Sequence, residues 1–302
     1  MLADAPAAVM AIDRTATVSL ETDRLTRFTA SGPLFCGYHG TPTRLVGCDA
    51  STVVDSILSF WGYANYPDTW SIHSDTRAMY DASGSKYGVG SSAAVFVATY
   101  HALARALGRP TSLNEVMDIH RLWQGSSGSG LDVASAWHGG VIRFQSGAAT
   151  SFYWPQNWHF RVIWSGSSTS TSTQLRHFSS WRENADTTTF NELCQCAHSV
   201  FESLHDEDAA GSMAALSAYS DALFRFDGAA GLSIYTEPHM TLRENAAHHA
   251  VIYKPCGAGG GDIGIAISDN APRLEAFCRQ VEAGPFTVLP TEIAAHGVHT
   301  QE

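Results

Sequence analysis

The sequence predicts an α+β fold in two lobes, and three observations lead there. A chain of 302 residues is long for one hydrophobic core and comfortable for two. Segments of helical and strand period alternate along it without the regular rhythm of a doubly wound parallel sheet. An irregular stretch midway, SGAATSFYWPQNW at 146–158, sets the expected boundary, with one domain over 1–157 and a second over 158–302.

The elements follow in order. APAAVMAIDRTATVSLETD carries an apolar run and then alternates from Thr15 to Leu20, which predicts strand, turn and strand. Residues 25–50, rich in Gly, Pro and Thr, predict further strands and loops. In STVVDSILSFWGYA, Val53, Val54, Ile57, Leu58 and Trp61 fall at helical spacing behind Ser51 as N-cap. TWSIHSDT, 69–76, alternates as a strand. Residues 91–107 form a helix ending at Gly108, and a second helix spans 112–124. VIRFQ at 141–145 reads as a strand. Past the boundary, the strand FRVIWSG precedes a Ser/Thr-rich loop and helices near 174–183, 187–205, 208–226 and 241–250. An apolar strand ends the segment KPCGAGGGDIGIAIS, and APRLEAFCRQVEA and FTVLPTEIAAHGV then predict helix and strand.

Composition excludes several classes. The apolar fraction of 44% and aromatic fraction of 11% belong to a globular protein. Lys and Arg number 18 against 29 Asp and Glu, a net charge of −11, which is wrong for a nucleic-acid-binding surface. It leaves room for a phosphorylated small molecule, because local cations and backbone N–H groups outweigh a global field. No apolar run reaches the ~18 residues of a membrane span, and no signal peptide is evident. A cytoplasmic protein with reduced thiols is expected, as monomer or homodimer. Of the six cysteines, Cys194 and Cys196 stand close, inside the amphipathic FNELCQCAHSVFESL, and no second pair sits at zinc spacing. The 14 histidines show no metal spacing and read as surface or helix-face residues, HDED at 205–208 reads as a solvated turn, and Trp123, Trp137, Trp154, Trp158 and Trp164 read as packing residues.

Three glycine loops carry the chemistry. In SKYGVGSSAAVFVATYHALA, Gly88 and Gly90 allow close backbone approach and positive φ, and Ser91 and Ser92 open a helix. The free N–H groups of a first helical turn favour an anion, and Lys86 adds charge. The alternative is a glycine turn with a serine-capped helix. In QGSSGSGLDVASAWHGG, Asp132 stands at the mouth of a helix, either as its N-terminal cap or as a catalytic carboxylate near a phosphate. In KPCGAGGGDIGIAIS, consecutive glycines before an apolar strand argue for close approach over a loose turn.

Together these segments resemble the GHMP kinase family. KYGVGSSAAV is similar to the family's second signature, GSGLDVASAWHGG to the segment with its catalytic aspartate, and GAGGGDIGIAI to its C-terminal glycine loop. With VIWSGSSTSTSTQLRHF, the set resembles the bacterial phosphomevalonate kinase branch over about residues 5–300. The resemblance implies an N-terminal domain like ribosomal protein S5 domain 2 and a ferredoxin-like C-terminal domain. It implies transfer of the ATP γ-phosphoryl onto the phosphate of 5-phosphomevalonate, with Mg²⁺; the alternatives are another GHMP member, such as a mevalonate kinase or decarboxylase relative, and a truncated, catalytically silent nucleotide- or metabolite-binding homologue. Gly88, Val89, Gly90, Ser91, Ser92 and Ala93 would cradle the nucleotide, with Ser92 on the metal. Asp132 and Lys86 would be catalytic. Ser129, Gly130, Ser168, Thr169, Ser170, Thr171 and the turn Gly257, Ala258, Gly259, Gly260, Gly261 and Asp262 would line the substrate. The family's first signature, a strand with lysine and glutamate, has no counterpart here: MLADAPAAVMAIDR aligns with the residues after it, so either the true start lies upstream or the chain is naturally truncated, and in the second case an edge of the first sheet is unpaired.

Overall fold

The computed structural model describes residues 5–32, 53–125, 128–168, 171–183, 187–206 and 208–301. Ser51, Cys36 and Cys48 lie outside them. The chain divides into two compact units. One holds Ala8–Phe152 and the C-terminal stretch from Glu292; the other holds Tyr153–Thr291 and the N-terminal stretch through Ala7.

The first unit contains β1 (Ala7–Met10), β2 (Thr17–Thr22), β3 (Arg27–Ser31), α1 (Val53–Phe60), β4 (Trp70–Asp75), α2 (Ser91–Ala106), α3 (Leu113–Trp123), α4 (Leu131–His138), β5 (Val141–Gln145) and β6 (Ala148–Ser151). One sheet has the order β2-β4-β3, with β4 antiparallel to β2 and parallel to β3. The alternation of β4 buries Trp70, Ile72 and Ser74. A second sheet has the order β1-β5-β6, with β1 outermost. The helices close over a shared core in which Val53, Val54, Ile57, Leu58, Val95, Phe96, Tyr100 and Leu103 are fully buried. The C-terminal stretch is tied in by Ala294 N–H to the Ala11 carbonyl at 2.9 Å and a bridge between Ile12 and Ile293.

The second unit contains β7 (His159–Trp164), α5 (Thr171–Arg182), α6 (Thr188–His205), α7 (Ala209–Ala230), α8 (Glu237–His248), β8 (Ile252–Pro255), β9 (Ile263–Ser268), α9 (Ala271–Glu282) and β10 (Thr287–Leu289). Its antiparallel sheet has the order β10-β7-β9-β8. Numbered by strand within the unit, that is 4-1-3-2, the ferredoxin-like arrangement. One face carries a core of Ile163, Tyr253 and Ala266 against Leu242, Ala246, Leu274, Phe277 and Val281 of α8 and α9. A second core, Phe178, Phe190, Leu223 and Phe226, joins α5, α6 and α7.

Four local expectations change. Residues 148–151 form β6 rather than a linker, because Gly147 at φ 82° closes a hairpin onto β5. Residues 252–255 form β8; Pro255 is tolerated because β8 is an edge strand. Helix α8 starts at Glu237 behind Thr236, with a proline in its first turn as a start signal. The HDED turn is more than solvated: Asp208 caps α7, accepting from the Gly211 amide at 3.0 Å.

Candidate active site

Lys86 is delivered to the site by a short turn that its own neighbours build. The Asp81 carboxylate accepts from the Ser83 hydroxyl at 2.7 Å and from the Ser83 and Ser85 amides at 2.8 and 2.7 Å. These bonds, the Ser83 hydroxyl first, hold its pKa below the ordinary carboxylate range. Tyr87 N–H then reaches the Met79 carbonyl at 3.2 Å, and Tyr80 bridges Lys86. The chain therefore enters the glycine pair with the exposed Lys86 already placed.

Helix α2 begins without a side-chain cap. Its N-cap is Gly90, left-handed at φ 83°, so Ser91 and Ser92 are helical residues and, among the described residues, no side chain caps the first turn. Ser91 is buried and Ser92 half-buried. Helix α4 repeats the device: its N-cap is Gly130 at φ 80°, again with no side-chain cap. Asp132 therefore does not cap its helix. A Cβ on Gly90 would stand 3.9 Å from both Cβ and Cγ of Asp132, so the two uncapped helix starts converge on one carboxylate. Two positive dipole ends then face the same place.

Asp132 is exposed and has no hydrogen-bond or ion-pair partner among the described residues. Desolvation by the protein around it raises its pKa, and the Lys86 charge opposes the shift. Ser129 beside it is exposed, with the Leu131 amide 3.4 Å from its hydroxyl.

The third glycine loop belongs to the second unit, between β8 and β9. Asp262 N–H donates to the Ser167 carbonyl at 2.7 Å, and Ser165 N–H to the Asp262 carbonyl at 2.9 Å, which brings Ser168 and the glycine turn together. Gly260 N–H donates to the Ile234 carbonyl at 2.9 Å. Gly259, at φ 71°, packs so closely that a Cβ would fall 2.5 Å from Ile234 Cγ2. Ser168 and Gly257 are exposed and Ala258 is half-buried. Thr169 and Ser170 lie outside the described residues, and the backbone of Thr171 is the first turn of α5 rather than loop.

Two supports of this turn are absent from the sequence reading. Asp227 of α7 accepts from the Ile234 and Tyr235 amides, each at 2.8 Å, fixing the segment that holds Gly260. His239 of α8 is fully buried, a correction to its assignment as a surface or helix-face residue. Its Nε2 lies 3.0 Å from the Gly261 carbonyl, which can only accept, so Nε2 carries the proton and Nδ1 accepts from the Tyr253 hydroxyl at 2.7 Å. Burial lowers its pKa, with the Lys254 charge adding to this and the Gly261 carbonyl opposing. No local pattern signals these roles, since the partners lie 22 and 14 residues away. His120 is likewise buried, against Phe96 and Trp123, and burial lowers its pKa to about 4.

Among the described residues no three His, Cys, Asp or Glu side chains gather as a metal cluster. Mg²⁺ does not need one: it takes one or two carboxylates, with phosphate oxygens and water completing its shell. The unpartnered Asp132 carboxylate and the Ser92 hydroxyl are hard oxygen donors of that kind, so the residues fit the ion.

Residues 69–140, from β4 through α4, match the GHMP kinases N terminal domain family. The chain belongs to the GHMP kinase superfamily and has its two-domain fold. A named relative is the phosphomevalonate kinase of Streptomyces sp. (strain CL190), 30% identical over 248 residues; the match spans 71% of this chain and 66% of that enzyme. Among solved structures, a Lin0012 protein from Listeria innocua superposes with a TM-score of 0.80 at 20% identity, covering 95% of this chain and 91% of that one. Streptococcus pneumoniae phosphomevalonate kinase in complex with phosphomevalonate and AMPPNP superposes with a TM-score of 0.75 at 18% identity, covering 96% and 93%. No helix among the described residues is long and apolar enough to cross a membrane.

Proposed function

We propose that this chain is an ATP-dependent phosphotransferase whose acceptor is 5-phosphomevalonate, yielding the diphosphate and ADP. The observation that carries the proposal is the convergence of two side-chain-uncapped helix starts on the unpartnered Asp132, with Lys86 beside it. The Streptomyces relative supports the choice of acceptor. Free thiols at Cys194, Cys196, Cys256 and Cys278 suit a reducing, cytoplasmic setting.

Phosphoryl transfer asks for positioning and charge stabilisation more than covalent chemistry. Gly88, Val89 and Gly90 present backbone to the triphosphate, and the amides of Ser91, Ser92 and Ala93 bind its oxygens. A phosphate oxygen of the acceptor forms the new bond to the γ-phosphorus as the bond to the β,γ-bridging oxygen breaks, and ADP leaves with that electron pair. The acceptor phosphate is largely ionised at neutral pH, so Asp132 orients rather than deprotonates it. Lys86 offsets charge on the phosphoryl group in transit. Mg²⁺, held by Asp132 and Ser92, supplies charge neutralisation when bound. Ser129 and Gly130 in the first unit are candidate acceptor-binding residues, as are Ser168, Thr169, Ser170, Thr171 and the 257–262 turn in the second.

The test is ADP release from the purified chain with Mg·ATP and either 5-phosphomevalonate or mevalonate. Release driven by 5-phosphomevalonate is expected. Release driven by mevalonate alone reassigns the acceptor, and Mg·ATP binding with no turnover on either overturns the kinase proposal.

A further inference from the structure

Among its described residues, the second unit holds a cation without a counter-charge, Lys254. On β8, Tyr253 and Pro255 are buried, Tyr253 in the core with α8 and α9, so Lys254 projects from the opposite face. It lies opposite Ile265 of β9, which lies opposite Val162 of β7, so its cross-strand neighbours are aliphatic. Lys254 is half-buried. Its Nζ donates to the Pro255 carbonyl at 2.7 Å and sits 6.0 Å from the centre of the Tyr219 ring. An ammonium has three protons to donate. Neither of the other two has an acceptor, and no carboxylate pairs with the charge, among the described residues.

A charge withdrawn from water destabilises a fold unless it is paired. The surface pairs of this protein show the ordinary solution: Arg225 with Glu192, and Arg243 with Asp221. Among the described residues Lys254 has no such partner, yet it stands three residues before Gly257, which opens the turn 257–261, where Gly260 is held by Ile234 and Gly261 by His239. Its neighbours Cys256 and Tyr235 are uncharged at neutral pH. A cation kept at that cost beside a preorganised turn serves an anion that arrives from outside.

We propose that Lys254 binds an oxyanion of the acceptor, making it a specificity-determining residue on the glycine-turn side of the substrate site. The identity of the acceptor rests on the kinase proposal above; the oxyanion site itself does not. A charge-assisted hydrogen bond of this kind corresponds to about 10- to 100-fold in affinity.

The experiment compares wild type, Lys254→Met and Lys254→Arg by thermal shift and calorimetric titration with inorganic phosphate, 5-phosphomevalonate and Mg·ATP. Lys254→Met is expected to lose at least tenfold in affinity for 5-phosphomevalonate and for inorganic phosphate, and to change less than threefold for Mg·ATP. Lys254→Arg restores part of the loss. Without ligand, Lys254→Met melts at or above the wild-type temperature, because the variant removes an unpaired charge from a half-buried site; a purely structural lysine would lower it. Equal binding of both anions by wild type and Lys254→Met refutes the proposal, as does a loss confined to Mg·ATP. If wild type ignores 5-phosphomevalonate altogether, the acceptor assignment fails, and the inorganic phosphate titration still decides Lys254.

Discussion

Gly90→Ala separates a turn residue from a phosphate cradle. Gly90 has φ 83°, where an alanine is strained by about 1–2 kcal/mol. The new methyl adds no steric penalty, since the nearest atoms are Cβ and Cγ of Asp132 at 3.9 Å, ordinary contact distance. The expected stability loss is therefore the backbone strain alone, about 3–6 °C in melting temperature for a unit of this size. Function should lose far more. The methyl occupies the space between the start of α2 and Asp132, where the proposed cradle would bring phosphates to the backbone, and misplacement by about 1 Å there is worth around 10²-fold in kcat/KM. Differential scanning fluorimetry gives the first quantity, and coupled ADP release with a Mg·ATP titration gives the second. A variant that loses those few degrees but keeps Mg·ATP affinity and turnover within twofold of wild type would show that Gly90 serves the turn alone, and the cradle assignment would fall.

Three further outcomes follow from the structure. Asp132→Asn should lower turnover by about 10²- to 10⁴-fold. Its carboxyl pKa is raised in the fold, so ionisation of Asp132 opposes folding as pH rises through that value; the variant should match or exceed wild-type stability at pH 7, an advantage that disappears in acid where both forms are neutral. A clear loss of stability at pH 7 would mean a structural carboxylate. For His120 the sign is the reverse: its pKa falls to about 4 on burial, so the unfolded chain takes up a proton first and stability drops between about pH 6.5 and 4, by roughly 3 kcal/mol in the limit. His120→Phe should flatten that part of a denaturant-midpoint-against-pH curve, and an unchanged slope refutes the assignment. Asp208→Ala removes the α7 cap and should cost about 1 kcal/mol, read as a shift in urea midpoint with no change in KM.

The glycine loops and their helices were legible because their signals are local. A pair of glycines before Ser91 and Ser92, or Gly130 before Leu131 and Asp132, sets left-handed φ and a helix start within a few residues, wherever the chain goes next. Strands β7 and β9 were legible as apolar runs, while their order in the sheet was given only by the family resemblance. What failed to show locally was support from afar. His239 and Asp227 look like any polar residues on helices, and only folding brings them under Gly261 and Ile234. Strand β8 was hidden by its proline, which an edge position tolerates.

By itself the sequence determined the groups on offer: glycine backbone able to approach phosphate, Lys86 just before it, the Asp132 carboxylate in a separate segment, and a resemblance to one superfamily. The tertiary structure decided how that chemistry is presented. It gave both helices a glycine N-cap with no side chain to cap them and set Gly90 against Asp132, so the start of α2 and an unpartnered carboxylate share one place. It also stranded Lys254 on an aliphatic sheet face without a carboxylate. Caps and ion pairs are contacts between side chains and whatever the fold brings near them, so only the fold could show where such contacts are missing.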